Sequence, residues 1–166
     1  TITDTSAGKT GTIKRDDQGV AGETSYSVID NNGTMTIDQA NVFNNSGSKG
    51  SSLIRNGGVD ATSSLTINGG TFEQQNFIAV KNDSNGELTI NGGTLTSKQS
   101  VVQNWNKAKI LGGNLTGGYL WTDSWTETGT VGETIIGGDA QFTGTIYMDV
   151  TSPNPSTLKI EGGSLD

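Results

Sequence analysis

The chain has 166 residues, a net charge of −7, 25 glycines, and neither cysteine nor histidine. An acidic balance argues against nucleic acid and against an anionic membrane surface, since both recruit clustered Lys and Arg, and the missing Cys excludes disulfides and thiolate metal sites. No apolar run approaches the ~18 residues of a membrane-spanning helix, so direct membrane insertion of this segment is not expected.

Gly, Thr, Ser and Asn make up nearly half of the chain, a composition that would suggest disorder if it lacked order. It does not lack order. Taken from the N-terminus, Thr12-Ile13-Lys14 reads as the start of a first coil, 24 residues before Ile37. Val28-Ile29-Asp30-Asn31 and Met35-Thr-Ile-Asp-Gln-Ala-Asn-Val42 follow as two short strands. Leu53-Ile54-Arg55-Asn56 leads into Leu65-Thr-Ile-Asn-Gly-Gly-Thr-Phe72, and Ala79-Val80-Lys81-Asn82 leads into Leu88-Thr-Ile-Asn-Gly-Gly-Thr-Leu95. Val101-Val102-Gln103-Asn104 then precedes Ala108-Lys-Ile-Leu-Gly-Gly-Asn-Leu115. Looser copies close the chain at Glu133-Thr-Ile-Ile-Gly-Gly-Asp-Ala140 and Leu158-Lys-Ile-Glu-Gly-Gly-Ser-Leu165.

The central isoleucines of these phrases stand at 37, 67, 90, 110, 135 and 160, in steps of 30, 23, 20, 25 and 25 residues. Repeats of that length carrying short strands are the mark of a solenoid, each repeat forming one coil. Leu65 and Ile67 alternate with Thr66 and Asn68, the period of a half-buried strand. The Gly-Gly pair permits the positive φ that a corner needs. A helix is disfavoured where paired glycines recur.

Between the Gly-Gly phrases, Asn31, Asn56, Asn82 and Asn104 recur at steps of 25, 26 and 22, and the column fades into Thr122 and Asp149. With Val80 inward and Lys81 outward, Asn82 turns inward at the strand end. An inward amide once per coil is expected to form a ladder, each side chain bonding the next and satisfying backbone groups at the turn; turn asparagines in left-handed conformations are the alternative.

Together the Gly-Gly phrases and the asparagine column resemble the right-handed parallel β-helix family. More narrowly they are similar to the repeats of bacterial surface adhesins and autotransporter-type passengers, from about residue 26 to residue 166. The resemblance implies an all-β, single-stranded, right-handed parallel β-helix of about six to seven coils, with residues 1–25 as a less regular N-terminal coil or cap and 26–166 as regular coils. It also implies a secreted or cell-surface bacterial protein with a role in adhesion and virulence. Coil length varies here, unlike the long, nearly identical repeats of self-associating autotransporters. Asp166 follows a Gly-Gly-Ser-Leu phrase where earlier coils run on into another strand, which reads as a fragment of a longer surface protein.

Parallel β-helices also include polysaccharide-degrading enzymes. Polygalacturonase-like hydrolases carry a Gly-His-Gly phrase, and this chain has no His. A pectate-lyase-like reading would need an Arg or Lys base beside calcium, from Arg15, Arg55 or Lys81, yet no Arg-x-Pro-x-x-Arg occurs. The acidic pairs Asp16-Asp17 and Asp123/Glu127 do not establish a glycosidase. No catalytic residue and no cofactor is assigned. Calcium ligands could come from Asp30-Asn31-Asn32 or Asn82-Asp83-Ser84-Asn85, but neither has the spacing of a known calcium loop, and ordinary turn chemistry accounts for both.

All three tryptophans, Trp105, Trp121 and Trp125, fall within 21 residues, joined by Tyr119 and one coil later by Tyr147. Alternation in Tyr119-Leu120-Trp121 places both aromatics outside. Column alignment predicts one outer ridge of Leu53, Ala79, Val101, Tyr119 and Tyr147, and a second of Arg55, Lys81, Gln103, Trp121 and Asp149. Such a shelf suits stacking on sugar rings or a protein contact; the alternative is that the aromatics simply cover the rod or that the loop 122–133 folds over them. Thr36, Thr66, Thr89 and Thr134, with Lys109 and Lys159 among them, form an outer column whose threonines need no more than strand preference.

The sequence therefore predicts a non-catalytic stalk or binding region of a bacterial adhesin, acting through multivalent contacts. Its partner would be a host or matrix glycan or protein, or a like molecule on another cell. A carbohydrate-binding module using Tyr119, Trp121 and Tyr147, with Trp105 and Trp125 at its margin, is the alternative. A pectate-lyase-like enzyme comes third.

Overall fold

The computed structural model describes residues 1–16, 27–45, 52–58, 62–149 and 153–166. Among these there is no helix, hence none that could cross a membrane. In chain order the strands are β1 (Ile2–Thr3), β2 (Thr12–Arg15), β3 (Ile29–Asn31), β4 (Thr34–Gln39), β5 (Asn41–Asn44), β6 (Ile54–Asn56), β7 (Ser63–Ile67), β8 (Thr71–Gln74) and β9 (Ile78–Asn82). They continue as β10 (Gly86–Ile90), β11 (Thr94–Asn104), β12 (Lys107–Ile110), β13 (Asn114–Thr122), β14 (Glu133–Ile136), β15 (Gln141–Met148), β16 (Thr157–Ile160) and β17 (Ser164–Leu165).

Every pairing between these strands is parallel, each strand lying on its counterpart one repeat away. One sheet runs β1-β4-β7-β10-β12-β14-β16; the other runs β17-β15-β13-β11-β8-β5-β2, with β3, β6 and β9 joining it through β11. The second sheet is strongly curled. The first half of β11 pairs with β8 and its second half with β9, across a register shift between Ser97 and Val102. Two strands that are separate in the earlier coils thus become one bent strand in β11, β13 and β15. The arrangement is consistent with a β-solenoid.

Four apolar columns line the interior, buried along most of their length; Ile160 and Leu165, last in two of them, are exposed. Register places Ile37, Ile67, Ile90, Ile110, Ile136 and Ile160 in one, and Val42, Phe72, Leu95, Leu115, Phe142 and Leu165 in another. Met35, Leu65, Leu88 and Ala108 form the third, and Ile29, Ile54, Val80, Val102, Leu120 and Ile146 the fourth. Full burial of each such aliphatic is worth roughly 1.5–3 kcal/mol. The columns are continuous, so each coil depends on both neighbours.

Three register expectations are corrected. Ile13 does not align with Ile37: Ile2 lies against Ile37, while Ile13 pairs with Val42 in the other sheet. Ile110 stacks on Ile136, not on Ile135, and Ile136 in turn stacks on Ile160. A one-residue slip exchanges the two faces of a strand. Ile135 is accordingly turned outward and Thr134 inward, where Thr134 is buried. The reason is polar. Thr134 Oγ1 accepts from Asn104 Nδ2 at 3.0 Å and lies 2.7 Å from Thr122 Oγ1, where the asparagine column runs out. The turn then takes up the slip with one extra residue, Gly137 to Ala140 against Leu111 to Gly113.

The third correction concerns Tyr147, which pairs with Trp121 and not with Tyr119. Between Thr116 and Tyr119 β13 has one residue more than β15, where Thr143 and Thr145 are the partners. That bulge at Gly117-Gly118 displaces everything beyond it by one position.

Of the expected N-terminal coil or cap, residues 17–25 lie outside the described residues, as does Asp17 of the Asp16-Asp17 pair.

Candidate functional site

The asparagine column is the polar counterpart of the core. Asn31 Nδ2 donates to Asn56 Oδ1, Asn56 Nδ2 to Asn82 Oδ1, and Asn82 Nδ2 to Asn104 Oδ1, each at 2.7 Å. All four side chains are buried. The amides also bind backbone carbonyls: those of the neighbouring coil from Asn56 to Glu87, Asn82 to Lys107 and Asn104 to Glu133, and one of its own turn from Asn82 to Gly86. Each rung therefore ties three segments together.

A second ladder on the outside escaped the sequence reading. Asn91 Nδ2 donates to Asn68 Oδ1 at 2.9 Å and Asn68 Nδ2 to Asp38 Oδ1 at 2.8 Å, with all three residues exposed. The signal was present, because these residues occupy one position of the repeated phrase.

The predicted aromatic site divides in two. Tyr119, Trp121 and Tyr147 do come together: ring centroids are 5.0 Å apart for Trp121–Tyr147 and 6.4 Å for Tyr119–Tyr147, both edge-to-face. Tyr119 and Tyr147 are 43% and 46% exposed, so neither is covered by the loop 122–133. The rest of the expected ridge is not on the surface. Leu53, Ala79 and Val101 are fully buried, because near the second corner consecutive residues turn inward and strict alternation fails. The neighbouring column is Arg55, Lys81, Gln103, Trp121 and Tyr147, with Asp149 two residues beyond.

Trp105 and Trp125 belong to the other half. Their centroids lie 4.4 Å apart at 46°, and Lys81 Nζ sits 4.5 Å from the Trp105 ring. Trp125 is carried there by a short antiparallel turn, unlike any strand pair of the coils, in which Trp125 N donates to Thr130 O at 2.9 Å and Thr130 N to Trp125 O at 3.2 Å. Gly129, with φ of +70°, closes it. The turn leans back over three earlier coils. Between it and the coil surface lies a cleft of about 230 Å³ lined by Arg55, Lys81, Asp83, Trp105, Trp125 and Glu127, among others.

Asp83, at the cleft margin, is 6% exposed. Its Oδ2 accepts from Arg55 Nε at 2.6 Å, and Lys81 Nζ lies 3.2 Å from Oδ1 as an ion pair without hydrogen-bond geometry. Asp30 approaches Arg55 from the other side at 3.8 Å. The acidic residues considered above as calcium ligands are thus committed to cations of the chain itself. Among the described residues no group of three or more His, Cys, Asp or Glu is placed to hold a metal ion.

Asp123, at the root of the Trp125 turn, titrates above the ordinary 3.8. Burial is the main cause, and the charge of Asp149 beside it adds to the effect, while the Ser124 backbone N–H at 2.7 Å works the other way. The Trp105 indole N–H lies near without closing a hydrogen bond of ordinary geometry. A raised folded-state pKa means that the folded chain holds the proton more tightly. This group's stabilising contribution is full below 3.8 and is lost as pH rises through its folded value. Asp123→Asn should therefore gain stability over the parent chain as pH is raised from 3.5 to 7, read from urea midpoints. An advantage that shrinks with pH would contradict that reading.

No protein-family model, no curated protein and no solved structure matches this chain.

Proposed function

We propose that the chain is a non-catalytic adhesive stretch of a secreted or cell-surface bacterial adhesin. It is wound as a right-handed parallel β-helix of about six to seven coils, the hand that parallel crossovers adopt almost without exception. The observation that carries this reading is the stacking of parallel strands on their counterparts in successive repeats, with a buried amide ladder between four of them. Such a stack is stiff along its axis and repeats its surface from coil to coil. A rod of that kind suits many weak lateral contacts, whose strengths multiply when it is presented in many copies.

The test is multivalent display. Beads coated with the chain are expected to adhere to cultured host cells or matrix, or to agglutinate with one another, while the soluble monomer competes only weakly. Coated beads that neither adhere nor agglutinate would refute the proposal.

A second reading, as a carbohydrate-binding region, is favoured by the exposed edge-to-face pair Tyr119 and Tyr147 beside Trp121. Stacking aromatics exposed on the side of a rod can dock the apolar face of a sugar. A glycan array is then expected to return a defined set of binders whose signal falls about tenfold with Tyr147→Ala, the loss of roughly 1.4 kcal/mol. Tyr147 contributes little to the core, so the variant should unfold at the same urea concentration as the parent. An array whose hits are indifferent to this substitution rules the ridge out.

A further inference from the structure

We infer that the cleft beneath the Trp125 turn is a second, separate pocket, one that accepts a single neutral pyranose ring. The inference rests on the binding reading above only in taking a glycan as ligand; it places that glycan away from Tyr119 and Tyr147.

Size is the first argument. At about 230 Å³ the cleft falls below the ~300 Å³ at which pockets for drug-sized ligands begin, a size that one sugar ring suits. Chemistry is the second. Two indoles, Trp105 and Trp125, supply apolar surface, while Arg55 and Lys81 supply donors and Glu127 an acceptor. A pyranose matches that mixture, having an apolar C–H face for an indole and hydroxyls that both donate and accept. Charge is the third. Arg55 and Lys81 are balanced by Asp83 and Glu127, so the cleft has no net charge with which to select an anion or a cation. A purely aliphatic ligand would desolvate the charged rim without offering it a hydrogen bond.

The pocket is also pre-organised. Asp83 is buried and holds Arg55 and Lys81 by one carboxylate, and Lys81 is further pinned over Trp105. Trp125 is fixed by its contact with Trp105 and by the two hydrogen bonds to Thr130. Little side-chain freedom is left to lose on binding, which lowers the cost of association. The wall carrying Trp125 and Glu127 comes from a later coil than the floor, so the site exists only in the stacked chain.

The experiment is saturation-transfer NMR on the intact chain with methyl glucoside, galactoside, mannoside and N-acetylglucosaminide, and with methyl glucuronide as the charged comparison. At least one neutral probe is expected to bind in the millimolar range. Its affinity should fall about fivefold in Glu127→Gln, where a charge-assisted hydrogen bond becomes a neutral one, and more in Trp125→Ala, and should be unchanged in Tyr147→Ala. Glu127 is exposed, so its variant tests the site even if Trp125→Ala loosens the turn. Absence of transfer from every neutral probe, or binding indifferent to Glu127→Gln, overturns the inference, as does a tenfold preference for the glucuronide. Binding lost in Tyr147→Ala but retained in Glu127→Gln overturns it too, while leaving the ridge reading intact.

Discussion

Replacing Asn82 by leucine is expected to destabilise the chain by about 3 kcal/mol, a large part of the 5–15 kcal/mol by which a folded domain is held. Asn82 is fully buried and serves four partners: it donates to Gly86 O, Asn104 Oδ1 and Lys107 O, and accepts from Asn56 Nδ2. Leucine has similar bulk and would recover some apolar burial. Three of the four abandoned partners keep another bond. Asn56 Nδ2 keeps Glu87 O, Asn104 Oδ1 keeps the Asn106 N–H, and Gly86 O keeps Asn106 Nδ2. Each of those losses is worth about 1 kcal/mol, less than the 1–3 kcal/mol of a buried group left with nothing.

The outer ladder is the control, because Asn91→Ala removes an amide rung of the same chemistry in full contact with water. Water replaces the lost partner there, and the change should stay within ~0.5 kcal/mol. Urea unfolding of the two variants decides the matter. Equal effects, or a loss below about 1 kcal/mol for Asn82→Leu, would mean that the buried ladder does not hold the coils together.

Gly70→Ala is expected to cost about 3 kcal/mol or more and to disturb the coils on both sides. Gly70 has φ of +116°, which an L-residue adopts at a cost of roughly 1–3 kcal/mol. Space is the second obstacle: a Cβ there would run into the Ala40 carbonyl oxygen and lie 2.8 Å from Ala40 N and 3.0 Å from Ala40 C. Backbone cannot swing aside as a side chain would, and here Ala40 O is held by the Thr71 N–H at 2.9 Å. The phrase Asp38-Gln39-Ala40 turns the same corner without a positive φ, its strand running on to Gln39. That solution is closed to the next coil, since the Ala40 carbonyl occupies the space an alanine at 70 would need. Gly33→Ala supplies the contrast. No atom lies within 4 Å of a Cβ at Gly33 and its φ is not positive, so the substitution should be neutral or gain up to ~1 kcal/mol by restricting the unfolded chain. Matching urea midpoints for Gly70→Ala and the parent would refute the close-packed corner.

Much of this architecture was legible because one phrase recurs. Leu65-Thr-Ile-Asn-Gly-Gly carries a strand, its two faces and a corner in six residues. The spacing of Asn31, Asn56, Asn82 and Asn104 likewise places one amide per coil. The second corner was not legible, because it has no common residue: Gln74 and Ser97 bond the backbone of their own turn and the preceding one in two coils, whereas Gly117-Gly118 and Gly144 serve the next two. Different chemistry solves one geometric problem, and a search for repeats passes over it. The cleft was still less visible. Arg55, Lys81, Trp105 and Trp125 are spread over four coils, and the turn that brings Trp125 back is a ten-residue insertion where the two preceding coils have three residues (83–85) and two (105–106).

Alternation of apolar and polar residues, with glycine where φ must be positive, was enough by itself to determine that the chain forms short parallel strands stacked repeat upon repeat. These are local requirements, met or failed within a few residues. Choosing between Ile135 and Ile136 for the core was beyond local pattern, since either isoleucine satisfies it. Only the stacked structure decided, by giving the Thr134 hydroxyl to Asn104 and Thr122. The same holds for Tyr147 beside Trp121 and for Trp125 on Trp105: side-chain partners separated by whole coils are set by bulges and insertions that shift the count, and their effect appears only when the coils are laid against one another.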